Sequence, residues 1–197
     1  MIDDFAKQYL HDELVWTREV LLSKLDGLSE YDVRRPLTTT GTNLLGLVKH
    51  LSATEGRYFS EIFDRPAPWP LPAWDSDEAW TGEDMWATEH ESRADILDRY
   101  QLAAEYTDAT IKALPIDAPG YVPWWPRPNV KLFNILTHVL TETTRHTGHA
   151  DILRESLDGQ VGQGPLAKSL HGKTPEYWEA RRTTIEAAAR AASELNR

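Results

Sequence analysis

The chain has 197 residues, no cysteine and a formal net charge of −10. That length suits one domain with a real hydrophobic core, and the missing cysteine excludes disulfides, thiolate ligands and a cysteine nucleophile. The negative charge opposes approach to a phosphate backbone, and no apolar run approaches the roughly 18 residues of a membrane span, so neither nucleic acid nor membrane is an expected partner.

The opening MIDDFAKQYL is acidic and lacks a signal peptide's apolar core, which makes the cytoplasm the expected location. Residues Asp3 to Leu25 read as a helix: Phe5, Leu10, Leu14, Val20, Leu21 and Leu25 recur at helical spacing, and Gly27 ends it. SEYDVRRPL reads as a short helical turn stopped before Pro36. TTTGTN supplies N-cap candidates for a second helix, about Leu44 to Phe63, with His50 at the edge of its apolar stripe. From Arg65 to Gly82 the prolines exclude a regular helix, and Trp69, Trp74 and Trp80 suggest an ordered loop over a bundle. A third helix is expected from about Asp84 to Leu114. Pro115 to Pro128 reads as a second proline- and tryptophan-rich loop, with Asn129 as a cap for the fourth helix. That helix stops at Gly159. A glycine-rich loop follows, and Thr174-Pro175-Glu176 opens an extra C-terminal helix. No strand pattern stands out.

The fourth helix carries the chemistry. It holds His138, Glu142, His146 and His149. At about 100° per residue, with His138 at zero, His149 falls near ~20°, Glu142 near ~40° and His146 near ~80°. The stripe of Ile135, Val139, Leu153 and Leu157 lies at roughly 60–100° on the same ruler. Glu142 and His146 therefore stand in or beside the inward face, one turn apart. A carboxylate there needs a partner, and His146 together with a divalent cation would provide one. The third ligand must come from another helix, and His50 is the candidate. Two imidazoles and one carboxylate leave positions open for water or substrate. Zinc suits the set best; iron(II), nickel and manganese also occupy such sites. Arg57, Arg145 and His149 are the candidate helpers, the arginines for an anionic substrate and His149 as a fourth ligand or an outer donor. Read from the residues alone, each helper has a plainer alternative as a solvated side chain. No Gly-rich phosphate loop, GxSxG, HExxH or CxxC motif is present.

The run LTTTGTNLLGLVKHLSATEGRYF and the later ETTRHTGHADILRESLDG resemble the DinB superfamily, and within it the actinobacterial branch related to mycothiol-dependent maleylpyruvate isomerase. The resemblance implies an all-α, four-helix bundle in up-down-down-up order, holding a divalent metal by three side chains. Most members use three histidines; the isomerase type has glutamate first in the fourth-helix pair. Carried onto this chain, that set is His50, Glu142 and His146. Many members have glutamine where this chain has His149. The family also implies a low-molecular-weight thiol cosubstrate, a small-molecule electrophile and a homodimer.

The expectation is thus a single DinB-like domain over residues 1–197, with the bundle at about 3–159 and an extension from about 160. Its function would be metal-dependent thiol transfer or isomerisation. The alternatives are a metal-dependent hydrolase, a non-catalytic stress or binding protein with a structural metal, and a bundle with no metal.

Overall fold

The computed structural model describes residues 4–71, 81–162 and 172–195. It divides into two units, Met1–Gly159 and Gln160–Arg197. In the first, the long helices are α1 (Asp4–Ser23), α3 (Leu44–Tyr58), α4 (Arg93–Ala113) and α5 (Leu132–Asp158), with a short α2 (Glu30–Arg34) between the first two. Side chains set the starts. Ser29 accepts the Asp32 N–H ahead of α2, Asn43 the Gly46 N–H ahead of α3, and Ser92 the Asp95 N–H ahead of α4. Gly159, at φ 78°, ends α5 in the left-handed conformation that glycine adopts without strain.

Two apolar clusters give the helix directions. One contains Leu14 of α1, Phe59 just past α3, Ile111 of α4, and Leu132, Ile135 and Val139 of α5. The other contains Leu21 of α1, Leu44 to Leu51 of α3, Ile96 and Tyr100 of α4, and Leu153 of α5. Helices α1 and α5 run from the first cluster to the second; α3 and α4 run back. The bundle is therefore all-α in up-down-down-up order, as the family resemblance implies.

Buried polar side chains separate the clusters: Thr17, Arg18, Glu55, Thr107, Thr143, His146 and Thr147. Arg18 clamps Glu55 with two bonds of 3.0 and 2.7 Å and reaches Asp108 at 2.7 Å. Burial alone would lower the Arg18 pKa, but the Glu55 and Asp108 carboxylates outweigh it and raise it. Thr143 and Thr147 tolerate burial because each hydroxyl donates to the carbonyl four residues back.

Several boundaries differ from the periodicity. Helix α3 stops at Tyr58, not Phe63, and a 3-10 turn, Glu61–Phe63, takes over. Helix α4 begins nine residues after Asp84, which instead lies in a 3-10 turn, Glu83–Met85. Asn129 does not cap α5. It lies in a short strand, β2 (Asn129–Lys131), paired antiparallel with β1 (Pro119–Tyr121). Lys131 is the cap residue, and its N–H donates to the Asn134 side chain at 2.9 Å. Three-residue strands leave no alternation to read. Phe5, expected inward, is exposed and stacks on Tyr9. In the 65–82 loop, Trp69 packs edge-to-face on Tyr106; Trp74 and Trp80 lie outside the described residues.

The second unit contains α6 (Pro175–Leu195), which has no buried residue. Thr174 accepts the Tyr177 N–H at its start. Among the described residues, no helix is long and apolar enough to cross a membrane.

Candidate metal centre

Helices α3 and α5 run antiparallel, and their middles face each other. His50 projects from α3 toward the Glu142–His146 pair of α5. One donor atom from each of the three lies within 4.8 Å of the others. His146 Nε2 is 3.0 Å from Glu142 Oε1, and His50 Nε2 is 3.7 Å from the same oxygen. The two imidazoles meet edge-on, with ring centroids 5.0 Å apart. His146 is buried; His50 and Glu142 are partly open.

The remaining ring nitrogens are also engaged. His50 Nδ1 lies 2.7 Å from Asp84 Oδ2. An ionised carboxylate can only accept, so Nδ1 carries a proton, and Nε2 is the nitrogen that faces the triad. His146 Nδ1 lies 3.3 Å from His149 Nδ1. Ligating imidazoles in metal sites are usually held from behind in this way.

The charges suit a cation. Burial would lower the His50 pKa, yet the Asp84 and Glu142 carboxylates outweigh it and raise it. Positive charge is favoured at that spot. Burial pushes the Glu142 carboxyl up, but His146, Arg145 and His50 bring it below its ordinary value, so it is an anion at neutral pH. His146 is lowered, by burial first and then by His50 beside it, so it is a neutral imidazole. An anionic carboxylate and a neutral imidazole are the forms that bind metal. On donor type, separation and charge, the residues fit a divalent ion.

The helpers divide. Arg145 is exposed and donates to Glu142 Oε2 at 2.9 Å. Arg57 lies two turns along α3 from His50. His149 is exposed and meets the site through His146. His138, one turn before Glu142, is set edge-on to Tyr58 and Trp125, with centroids 4.9 and 4.8 Å apart. Trp125 Nε1 donates to the Tyr58 hydroxyl at 3.2 Å. Arg154 is buried and holds the Lys24 and Asp26 carbonyls past the end of α1. His11 of α1 pairs with Asp108 at 2.9 Å.

Sequence reasoning missed Asp84. It enters from a turn between α3 and α4, 34 residues from His50, and obeys no helical period. The turn borders a cavity of about 660 Å3 lined by Lys49, Ser52, Trp69, Leu71, Asp84 and Arg99, among others.

A DinB-like bundle with two histidines and a glutamate gathered on facing helices defines the class. The family model of mycothiol-S-transferases matches residues 9–159, and the chain belongs to that family. No curated protein matches it.

Proposed function

We propose that the chain is a metal-dependent transferase that joins a low-molecular-weight thiol, mycothiol by family, to a small electrophile. The observation that carries this reading is the convergence of His50, Glu142 and His146 within 4.8 Å on two facing helices, in a chain of the mycothiol-S-transferase family. Those three side chains would hold a divalent ion, zinc by preference for this donor set. A bound ion supplies the positive charge that keeps a thiol sulfur deprotonated at neutral pH.

The chain's own residues do the rest. Glu142 contributes the single anionic ligand, leaving net positive charge for a thiolate. Asp84 and His149 hold the two imidazoles from behind. Arg145, exposed beside Glu142, and Arg57 attract an anionic part of a substrate. Tyr58, Trp125 and His138 form an aromatic wall one turn from Glu142 that excludes water from the reacting groups. In the reaction the thiol gives its proton to solvent and its sulfur electron pair forms the carbon–sulfur bond, while the electrophile's leaving group departs with its own electron pair; in an addition, a proton from solvent returns to the electrophile instead. The absence of cysteine fits, because the nucleophilic sulfur arrives with the cosubstrate.

Turnover of a model electrophile should be followed with mycothiol, with water alone, after chelation and after zinc is restored. Conjugation should need both thiol and metal, and Glu142→Ala should lower it at least ~100-fold. Metal-dependent turnover without any thiol would contradict the transferase reading and favour hydrolysis. Thiol-dependent turnover unaffected by chelation would contradict the role of the metal.

A further inference from the structure

The Asp84 carboxylate does not reach His50 by chance of side-chain rotation. The backbone that carries it is pinned to α3 by groups other than the pair itself. Asn43 Nδ2 donates to the Met85 carbonyl at 3.3 Å, while its Oδ1 caps α3. Lys49 Nζ donates to the Glu83 and Trp86 carbonyls at 3.3 and 2.9 Å and pairs with Glu91. Glu91 in turn accepts the Thr88 N–H at 2.9 Å. Between these anchors lies Gly46. A Cβ built there would stand 1.8 Å from the Met85 carbonyl oxygen, so only glycine lets the turn lie this close to the helix. Gly46 and His50 are one helical turn apart on α3. The seat of the turn and the ring it supports are therefore set by the same stretch of helix.

We propose that the Glu83–Met85 turn is a preformed outer shell of the metal centre, with Asp84 as a positioning residue that fixes the tautomer and ring orientation of His50. The inference rests on the reading of His50, Glu142 and His146 as metal ligands. Asp84 holds the proton on Nδ1 and so commits Nε2 to the triad. Without it the ring turns freely or presents the wrong nitrogen, and the metal loses a well-aimed ligand. Gly46, which touches neither the ligands nor Asp84's carboxylate in this scheme, acts through the seat of the turn.

Zinc affinity, measured by competition with a chelating dye, and the visible absorption of the cobalt(II) form test this on the full chain. Wild type, His50→Ala, Asp84→Ala, Asp84→Asn and Gly46→Ala are compared, with circular dichroism as a check on folding. Asp84→Ala should weaken zinc binding about 10–100-fold and change the cobalt spectrum. Asp84→Asn, which retains an acceptor oxygen for the ring N–H, should recover part of the affinity. Gly46→Ala should weaken binding in the same direction with Asp84 and His50 both present. Wild-type zinc affinity and spectrum in Asp84→Ala, or in Gly46→Ala, would overturn the positioning role while leaving the ligand set intact. No zinc uptake by the wild type, or full uptake by His50→Ala, would overturn the ligand set and the positioning role with it.

Discussion

Arg18 and Glu55 show what a single residue contributes to this fold. Glu55 is fully buried, and both its oxygens are taken by the Arg18 guanidinium. Removing one partner strands the other charge in the interior. Arg18→Ala should therefore destabilise by about 3–5 kcal/mol in a urea titration at neutral pH. The double change Arg18→Met with Glu55→Leu should be much milder, since an apolar pair of similar volume leaves no buried charge. A loss below about 1 kcal/mol for Arg18→Ala would show that water reaches Glu55. At this scale the sequence was partly readable. Glu142 and His146 stand one turn apart on an inward face, and that spacing alone brings their atoms together. Arg18, also on a helix, had no such signal, because its partners Glu55 and Asp108 lie on two other helices. Asp84 had none either, since a turn has no period from which to read where a side chain points.

At the scale of elements, Asp108 joins α4 to α1 through His11 and Arg18. Burial pushes its carboxyl up, but the His11 hydrogen bond and the Arg18 charge bring it below its ordinary value. A carboxyl whose pKa is lower when folded adds stability above its unfolded value, about 3.9, and loses it as pH falls toward the folded one. Wild-type stability should thus fall more steeply below about pH 4 than that of Asp108→Asn, read as urea midpoints between pH 7 and pH 3. Parallel acid limbs would contradict the link. The long helices were legible because their apolar residues recur every three or four positions. Their ends were less so. Helix α3 gives way at Ser60, whose hydroxyl donates to the Gly56 carbonyl. Helix α4 waits for the Ser92 cap because Lys49 and Asn43 hold the preceding segment in another shape. Those contacts are tertiary and leave no local pattern.

Across the whole molecule, the polar layer between the two apolar clusters links stability to the site. His146 belongs to that layer, so a metal bound through it would stabilise the bundle itself. At a free zinc concentration 100 times the dissociation constant, the gain for wild type should be about 2.7 kcal/mol, read as a shift in the urea transition. Glu142→Ala should show little of it. An equal gain in both proteins would place the zinc elsewhere. The family match and the first structural unit both end at Gly159, which motivates a further expectation: a chain cut after Gly159 should keep the urea midpoint and zinc affinity of the full protein. A drop in either would give the C-terminal helix a structural part in the bundle.

The most direct test of the metal centre is a crystal of the full chain grown with zinc and recorded on both sides of the zinc absorption edge. A single anomalous peak should lie about 2.0–2.2 Å from one nitrogen each of His50 and His146 and from the Glu142 carboxylate. A peak bound by other side chains, or none with those three residues in place, would contradict it.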